Sequence, residues 1–262
     1  MRDLPELAAA LTSIAARAGD AIMQIYDSAF TVQHKSDDSP LTLADLESQR
    51  IIIAGLNALT PGTPVLSEES AHAPWSERRT WRELWVVDPL DGTREFVKRN
   101  GEFTINIALA VDGEAVLGLV AAPALGLVYW GARGSGAFKS QGGAPAVPIR
   151  VSAPAAPLRV VGSRSHASAD TEAYLAQLGE HRLVGTGSAL KFCRVAEGSA
   201  DLYPRFGPTS EWDTAAGQAL LESAGGQVTR IDGRRLRYNC RESLINESFP
   251  TRSSVARSRR RA

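Results

Sequence analysis

Between Leu4 and Tyr26 the apolar residues Leu7, Leu11, Ile14, Ala18, Ile22 and Ile25 recur at three- and four-residue spacing. They share one face and predict a long amphipathic helix. A polar loop follows at 33–40 (QHKSDDSP). A second helix is expected to open at Thr42 and run through Leu46, Ile53, Leu56 and Leu59, until Thr60-Pro61-Gly62 stops it. Short β-rich runs stand at 64–67, 84–87 and 103–111. The 18 uncharged residues 115–132 are interrupted by Gly118, Pro123 and Gly126, so they read as a buried hairpin with strands at 115–120 and 126–130 rather than a bilayer span. This half reads as two helices packed on a mainly antiparallel sheet.

Residues 140–157 are rich in Pro, Ala and Gly and mark a passage between subdomains. Beyond it strand and helix alternate: strands are expected at 158–162, 182–184, 200–203 and 227–231, and helices at 171–178, 188–197 and 212–224. That rhythm points to a smaller α/β layer. No internal repeat is visible. The expected organisation is an N-terminal α+β subdomain over 1–150, a C-terminal α/β subdomain over 151–250, and a basic tail over 251–262.

Composition narrows the function classes. With 44% hydrophobic and 22% charged residues in 262, most of the chain is expected to fold. Two distant cysteines, Cys193 and Cys240, exclude a disulfide framework and a four-cysteine zinc site. The amino terminus carries acids among its apolar residues and does not read as a signal peptide, so a reducing, cytoplasmic setting is expected. Formal charge is zero, yet the tail holds five arginines and no acid, leaving 24 basic against 29 acidic side chains in the first 250 residues. An acidic body argues against binding a nucleic-acid polymer. The tail reads as a solvated end, with a weak contact to anionic lipid or RNA as the second reading.

The carboxylates carry the candidate chemistry. In LWVVDPLDGTREF a strand feeds Asp88 into a Pro-turn, with Asp91 three residues on, just before Gly92-Thr93. Both carboxylates can then point at one spot as hard oxygen ligands, beside a short helix whose first N–H groups could hold a phosphate oxygen. An Asp-Gly turn with a capping Asp gives the same letters. Glu68-Glu69 ends the run at 64–67 and could equally be a solvated pair. Asp213 could cap the helix it opens, and Asp45 stands three residues after Thr42, where a capping box places its acid.

Taken together, LSEES, WVVDPLDGT and EWDTAAG, in this order over about 150 residues, resemble the lithium-sensitive, magnesium-dependent phosphomonoesterases related to inositol monophosphatase, and LTLAD resembles a fourth element of that family. HKSDDSPLTLAD, FVKRNGEFTINIAL, VGSRSH, GSALKFCRVAEG and LYPRFGPTSEWDTAAG resemble its bacterial CysQ branch, the 3'(2'),5'-bisphosphate nucleotidases. The similarity reaches from the first helix through RESLIN near Asn246.

The resemblance implies an α/β/α/β/α sandwich of the inositol-monophosphatase and sugar-phosphatase type. It implies two or more Mg²⁺ ions per site, one held by Glu68, Asp88 and the carbonyl of Leu90, the other by Asp88, Asp91 and Asp213. Thr93 backed by Asp45 would activate water. Glu68, Leu90, Asp91, Gly92, Thr93 and Asp213 would surround the scissile phosphate, and His166, Ser188, Lys191 and Arg205 would bind the rest of a phosphonucleotide. The activity implied is hydrolysis of the 3'-phosphate of 3'-phosphoadenosine 5'-phosphate, with lithium inhibition and a role in sulfate assimilation. An inositol or other sugar phosphatase with the same metal core is the nearest alternative, and a catalytically silent sensor a further one. Oligomeric state, monomer or homodimer, and peripheral attachment to the cytoplasmic face of the inner membrane stay open.

Overall fold

The computed structural model describes residues 2–34, 40–163 and 169–253. In chain order its elements are α1 (Leu4–Tyr26), β1 (Val32–His34), β2 (Pro40–Thr42), α2 (Leu43–Leu59), β3 (Val65–Ser67), α3 (Trp75–Arg78), β4 (Glu83–Asp91), α4 (Thr93–Val97), β5 (Thr104–Val111), β6 (Glu114–Ala122), β7 (Leu127–Ala132), β8 (Gly136–Gln141) and β9 (Val147–Ile149). The second part holds β10 (Leu158–Gly162), α5 (Ala169–Gln177), β11 (His181–Gly185), α6 (Leu190–Ala196), β12 (Leu202–Arg205), α7 (Glu211–Ser223), β13 (Gly226–Val228) and β14 (Phe249–Ser253).

Strands β3 to β9 form a seven-stranded sheet in sequence order, antiparallel except for the β3–β4 pair. Its middle strands are apolar on both faces because both are covered. Trp85, Val87, Ile105, Ile107, Leu117 and Leu119 pack on α1 and α2, whereas Leu84, Val86, Ala108, Ala110 and Val120 join a core with Phe192, Ala216 and Leu220 from α6 and α7. The uncharged stretch at 115–132 is the β6–β7 hairpin, turning through Pro123–Leu125 and the left-handed Gly126. Among the described residues no helix is long and apolar enough to cross a membrane.

The second sheet has the order β11-β10-β12-β14-β13, with β10 parallel to β11 and β12, and β14 antiparallel to both neighbours. Val161 and Tyr203 face α6 and α7, while Val160 and Leu202 meet Leu175 of α5. The layers are therefore helix, sheet, helix, sheet, helix, with α6 and α7 shared between the two sheets.

Three expectations change. β4 does not end at Val87 but continues to Asp91. The tail begins later than residue 251, because 251–253 complete β14, where Thr251 and Ser253 are buried. The alternation of that strand is hidden by Pro250 and Arg252, whose guanidinium donates to the Tyr174 hydroxyl. Strands β8 and β9 extend the first sheet into the stretch read as a passage, and the crossing to the second sheet follows them.

Candidate active site

Asp88 and Asp91 come to one place through a β-bulge rather than a turn. Opposite them, Asn106 pairs with Asp88 and Thr104 with Asp91, so β4 spends three steps where β5 spends two. In a regular strand, residues three apart face opposite sides; the extra residue brings both carboxylates to one side. Pro89 has no N–H to lose at the bulge, and its carbonyl accepts from the Ser48 hydroxyl at 2.7 Å. Asp88 Oδ1 accepts from the Leu90 N–H at 3.1 Å, and Asp91 Oδ2 accepts from Asn106 Nδ2 at 3.3 Å and from the Thr104 hydroxyl at 3.5 Å.

Gly92 then turns the chain in the left-handed region at φ 89°. A Cβ there would stand 3.3 Å from both the Glu102 carbonyl and Ser188 Cβ, and one at Gly187 would stand 2.7 Å from the Glu102 carbonyl. The two glycines let the start of α4 lie against the turn that precedes α6. The Gly187 N–H bonds Glu102 Oε2 at 2.8 Å and fixes that approach.

Asp45 is a helix cap and a partner of Thr93 at once. Its Oδ2 accepts from the Thr42 N–H and hydroxyl, each at 2.7 Å, completing the capping box of α2. Its Oδ1 accepts from the Thr93 hydroxyl at 3.2 Å, with the Leu90 carbonyl 3.4 Å away as a second acceptor. Asp213 repeats the arrangement in α7, its Oδ2 taking the Ser210 N–H at 2.8 Å. A cap uses only part of a carboxylate, so capping and ligation do not compete.

Charge is concentrated here. Burial, then the neighbouring charges of Glu68, Asp91 and Asp213, hold the Asp88 carboxyl well above the usual range. Asp213 is pushed up to about 8 by burial and by Asp91. Asp91 is raised by burial, against the pull of Lys191. Burial pushes Lys191 down to about 8, with Asp91 opposing.

Like charges crowded out of water need a cation, and an oxygen-only donor set suits a hard divalent one. Among the described residues no three of His, Cys, Asp and Glu are drawn together as a ready-made cage.

Several of these groups open on a cavity of about 260 Å³. Glu68, Asp91, Gly92, Thr93 and Asp213 line it together with Ser188, Lys191 and Arg205. Lys191 Nζ donates to the carbonyls of Ser188 at 2.6 Å and Thr186 at 3.4 Å, and stands 5.4 Å above the Tyr203 ring. Ser188 is not in the helix as expected; it sits two residues before α6 at φ 44°, where it lines the cavity. Its hydroxyl and Arg205 Nε are buried with no hydrogen-bond partner among the described residues. His166 lies outside the described residues.

The family profile for inositol monophosphatases matches residues 3–260. The chain belongs to the inositol monophosphatase family. It is 51% identical over 238 residues to the 3'(2'),5'-bisphosphate nucleotidase CysQ of Salmonella typhimurium, covering 90% of this chain and 95% of that one. It is 50% identical to the CysQ of Escherichia coli K12 with the same coverage. The crystal structure of CysQ from Bacteroides thetaiotaomicron superposes with a TM-score of 0.84 at 40% identity, covering 95% of this chain and 97% of that one. The branch read from the sequence motifs is the one these relatives bear, and the family is one of metal-dependent phosphatases.

Several residues at this inositol-monophosphatase-type site were not legible from the chain. Arg94, Ser163, Tyr203 and Thr209 also line the cavity. Arg94 directly follows the DGT element and could have been suspected from that adjacency. Ser163 follows β10, Tyr203 stands in β12 and Thr209 in the loop before α7; all three lie in the quoted VGSRSH and LYPRFGPTSEWDTAAG motifs, where the flanking His166, Arg205 and Asp213 drew the reading instead.

Proposed function

We propose that the protein is a 3'(2'),5'-bisphosphate nucleotidase that hydrolyses the 3'-phosphate of 3'-phosphoadenosine 5'-phosphate to AMP and phosphate, with the sulfated analogue as a second substrate. The observation that carries the reading is the mixed lining of one cavity. The carboxylates of Glu68, Asp91 and Asp213 share it with Lys191, Ser188 and Arg205, and the Ser188 hydroxyl and Arg205 Nε have no hydrogen-bond partner among the described residues. Unpaired buried donors are costly, and a second phosphate would satisfy them. The role that follows is removal of a by-product of sulfate assimilation, in the cytoplasm.

Glu68, Asp88 and the Leu90 carbonyl would hold one Mg²⁺, and Asp88, Asp91 and Asp213 a second. Bound there, the cations would supply charge stabilisation for the phosphoryl oxygens and a more acidic water. Thr93 would accept a proton from the attacking water as its own passes to Asp45, to which it already donates. The N-terminal end of α4 would face the phosphate, and Lys191, Arg205, Ser188 and His166 would orient the nucleotide. The leaving 3'-oxygen would take up a proton from solvent water and Asp45 would return the one it received to solvent, so the products are an alcohol and inorganic phosphate.

The test is phosphate release from 3'-phosphoadenosine 5'-phosphate and from inositol 1-phosphate, side by side, with Mg²⁺ and with added lithium. Preference for the nucleotide, suppressed by lithium, is expected. Preference for inositol phosphate would keep the metal site and overturn the substrate pocket.

A further inference from the structure

The four acidic side chains placed around the proposed metal sites are not equally anchored. Asp88 and Asp91 share β4, whose pairing with β5 fixes them. Glu68 follows β3, a three-residue edge strand paired only with β4, and its N–H reaches the Val87 carbonyl at 3.2 Å. Asp213 stands in the first turn of α7, outside either sheet. No sheet hydrogen bond sets the distance between the Glu68 segment and the start of α7.

Among the described residues, contacts outside the cavity run between those segments along two routes. The first is a buried chain. Arg78, only 3% exposed, donates through Nη1 to Asn239 Oδ1 at 2.8 Å and through Nη2 to the Glu242 carbonyl at 2.8 Å, while its Nε holds the Ala73 carbonyl at 3.1 Å. Asn239 answers, its Nδ2 donating to the Arg78 carbonyl at 2.6 Å. The Asn239 N–H then donates to Glu211 Oε2 at 2.7 Å, and Glu211 is the first residue of α7, two before Asp213. The second is exposed. His72 Nε2 donates to the Ser67 carbonyl at 3.0 Å, next to Glu68, and its ring lies 5.1 Å from that of Trp212, next to Asp213.

We propose that Arg78 and Asn239, with His72 on Trp212 as a second strut, are positioning residues that set the separation of Glu68 and Asp213 and so tune divalent-cation affinity from outside the cavity. The inference rests on the reading of those two carboxylates as metal ligands. Arg78 suits the task because its planar fork fixes three carbonyl-type acceptors from two segments at once. Lysine, with a point charge, would not hold that geometry.

The experiment measures Mn²⁺ binding by electron paramagnetic resonance on the full chain, without substrate, for the wild type, Arg78→Gln, His72→Ala and Asp213→Asn. It adds KM for the bisphosphate nucleotide at saturating metal. Loss of groups that support metal ligands typically weakens metal binding about 10–100-fold. Arg78→Gln should therefore weaken Mn²⁺ binding at least about tenfold, and His72→Ala should weaken it less, with KM at saturating metal unchanged in both. A folded Arg78→Gln with wild-type Mn²⁺ affinity, however lowered its stability, overturns the proposal. Should Arg78→Gln not fold, the exposed His72→Ala decides it on the same criterion. Should Asp213→Asn bind Mn²⁺ as the wild type does, the metal assignment itself has failed and the proposal falls with it, a result distinct from the first.

Discussion

Replacing Asp45 by Asn separates two roles that one carboxylate fills. Asn is close to isosteric, and with its amide oxygen toward Thr42 it retains both cap bonds now made at 2.7 Å by Oδ2. What the cap loses is negative charge at a helix N-terminus, worth about 0.3–1 kcal/mol. In a chain of this size that shifts the melting temperature by only about 2–4 °C at most. The other amide atom, Nδ2, then faces the Thr93 hydroxyl, which now donates to Oδ1 at 3.2 Å. Two donors cannot share that bond, so the Thr93 proton turns to the Leu90 carbonyl, 3.4 Å away, and no base remains to receive it. A positioned general base contributes about 10²–10⁴ in rate, equivalent to about 3–5 kcal/mol at 1.36 kcal/mol per tenfold. The assay is kcat for phosphate release at saturating Mg²⁺ and nucleotide, beside the melting curve. A hundredfold or greater loss of kcat with a melting shift of a few degrees is expected. A kcat within threefold of wild type, with the same melting shift, would leave Asp45 as a helix cap only.

Three further outcomes follow from the same geometry. Asp213 is raised in the folded protein, so with chelator present stability falls as pH rises from its unfolded value through about 8; Asp213→Asn should raise the metal-free melting temperature at pH 8 while removing nearly all activity, and a lowered melting temperature would refute the charge argument. Asp201 is pushed up by burial but brought below its usual value by bonds from the Arg159 side chain and N–H and the Ala155 N–H, so its contribution exists above the unfolded carboxylate value and is lost as pH falls through the folded one. Asp201→Asn should therefore lower stability at neutral pH and flatten its acid dependence below pH ~4, read from urea midpoints against pH. A Cβ at Gly118 of β6 would stand 2.2 Å from the Ala216 carbonyl in α7, a backbone atom with no room to move; Gly118→Ala should cost about 1–3 kcal/mol or more in urea unfolding and weaken Mg²⁺ activation, because α7 carries Asp213.

The local patterns were informative where one face of one element decides the outcome. The α1 stripe, the hairpin through Pro123 and the strand–helix alternation after residue 158 all appear where the spacing places them. Misread segments are those whose state is set by pairing with another strand rather than by their own pattern. β14 is a strand because β12 and β13 flank it, β8 because β7 offers an edge, and β9 because β8 then does. The DPLD segment looked like a turn because Pro and Gly flank two acids. It is a bulge because β5 pairs on both sides of it.

The chain alone determined which residue types are available and in what order: five carboxylates, a threonine behind DG, and a lysine and arginines in the second half. Those letters could be read because motif spacing survives in one dimension. The tertiary structure decided which of them meet. The bulge turns Asp88 and Asp91 to one side, the approach of Gly92 to the turn before α6 brings Ser188 and Lys191 to the same cavity, and hydrogen bonds from Arg78 through Asn239 to Glu211 join α3 to the start of α7. Each of these is a contact between separate elements of the fold, set by hydrogen bonds and close backbone packing that no local periodicity encodes.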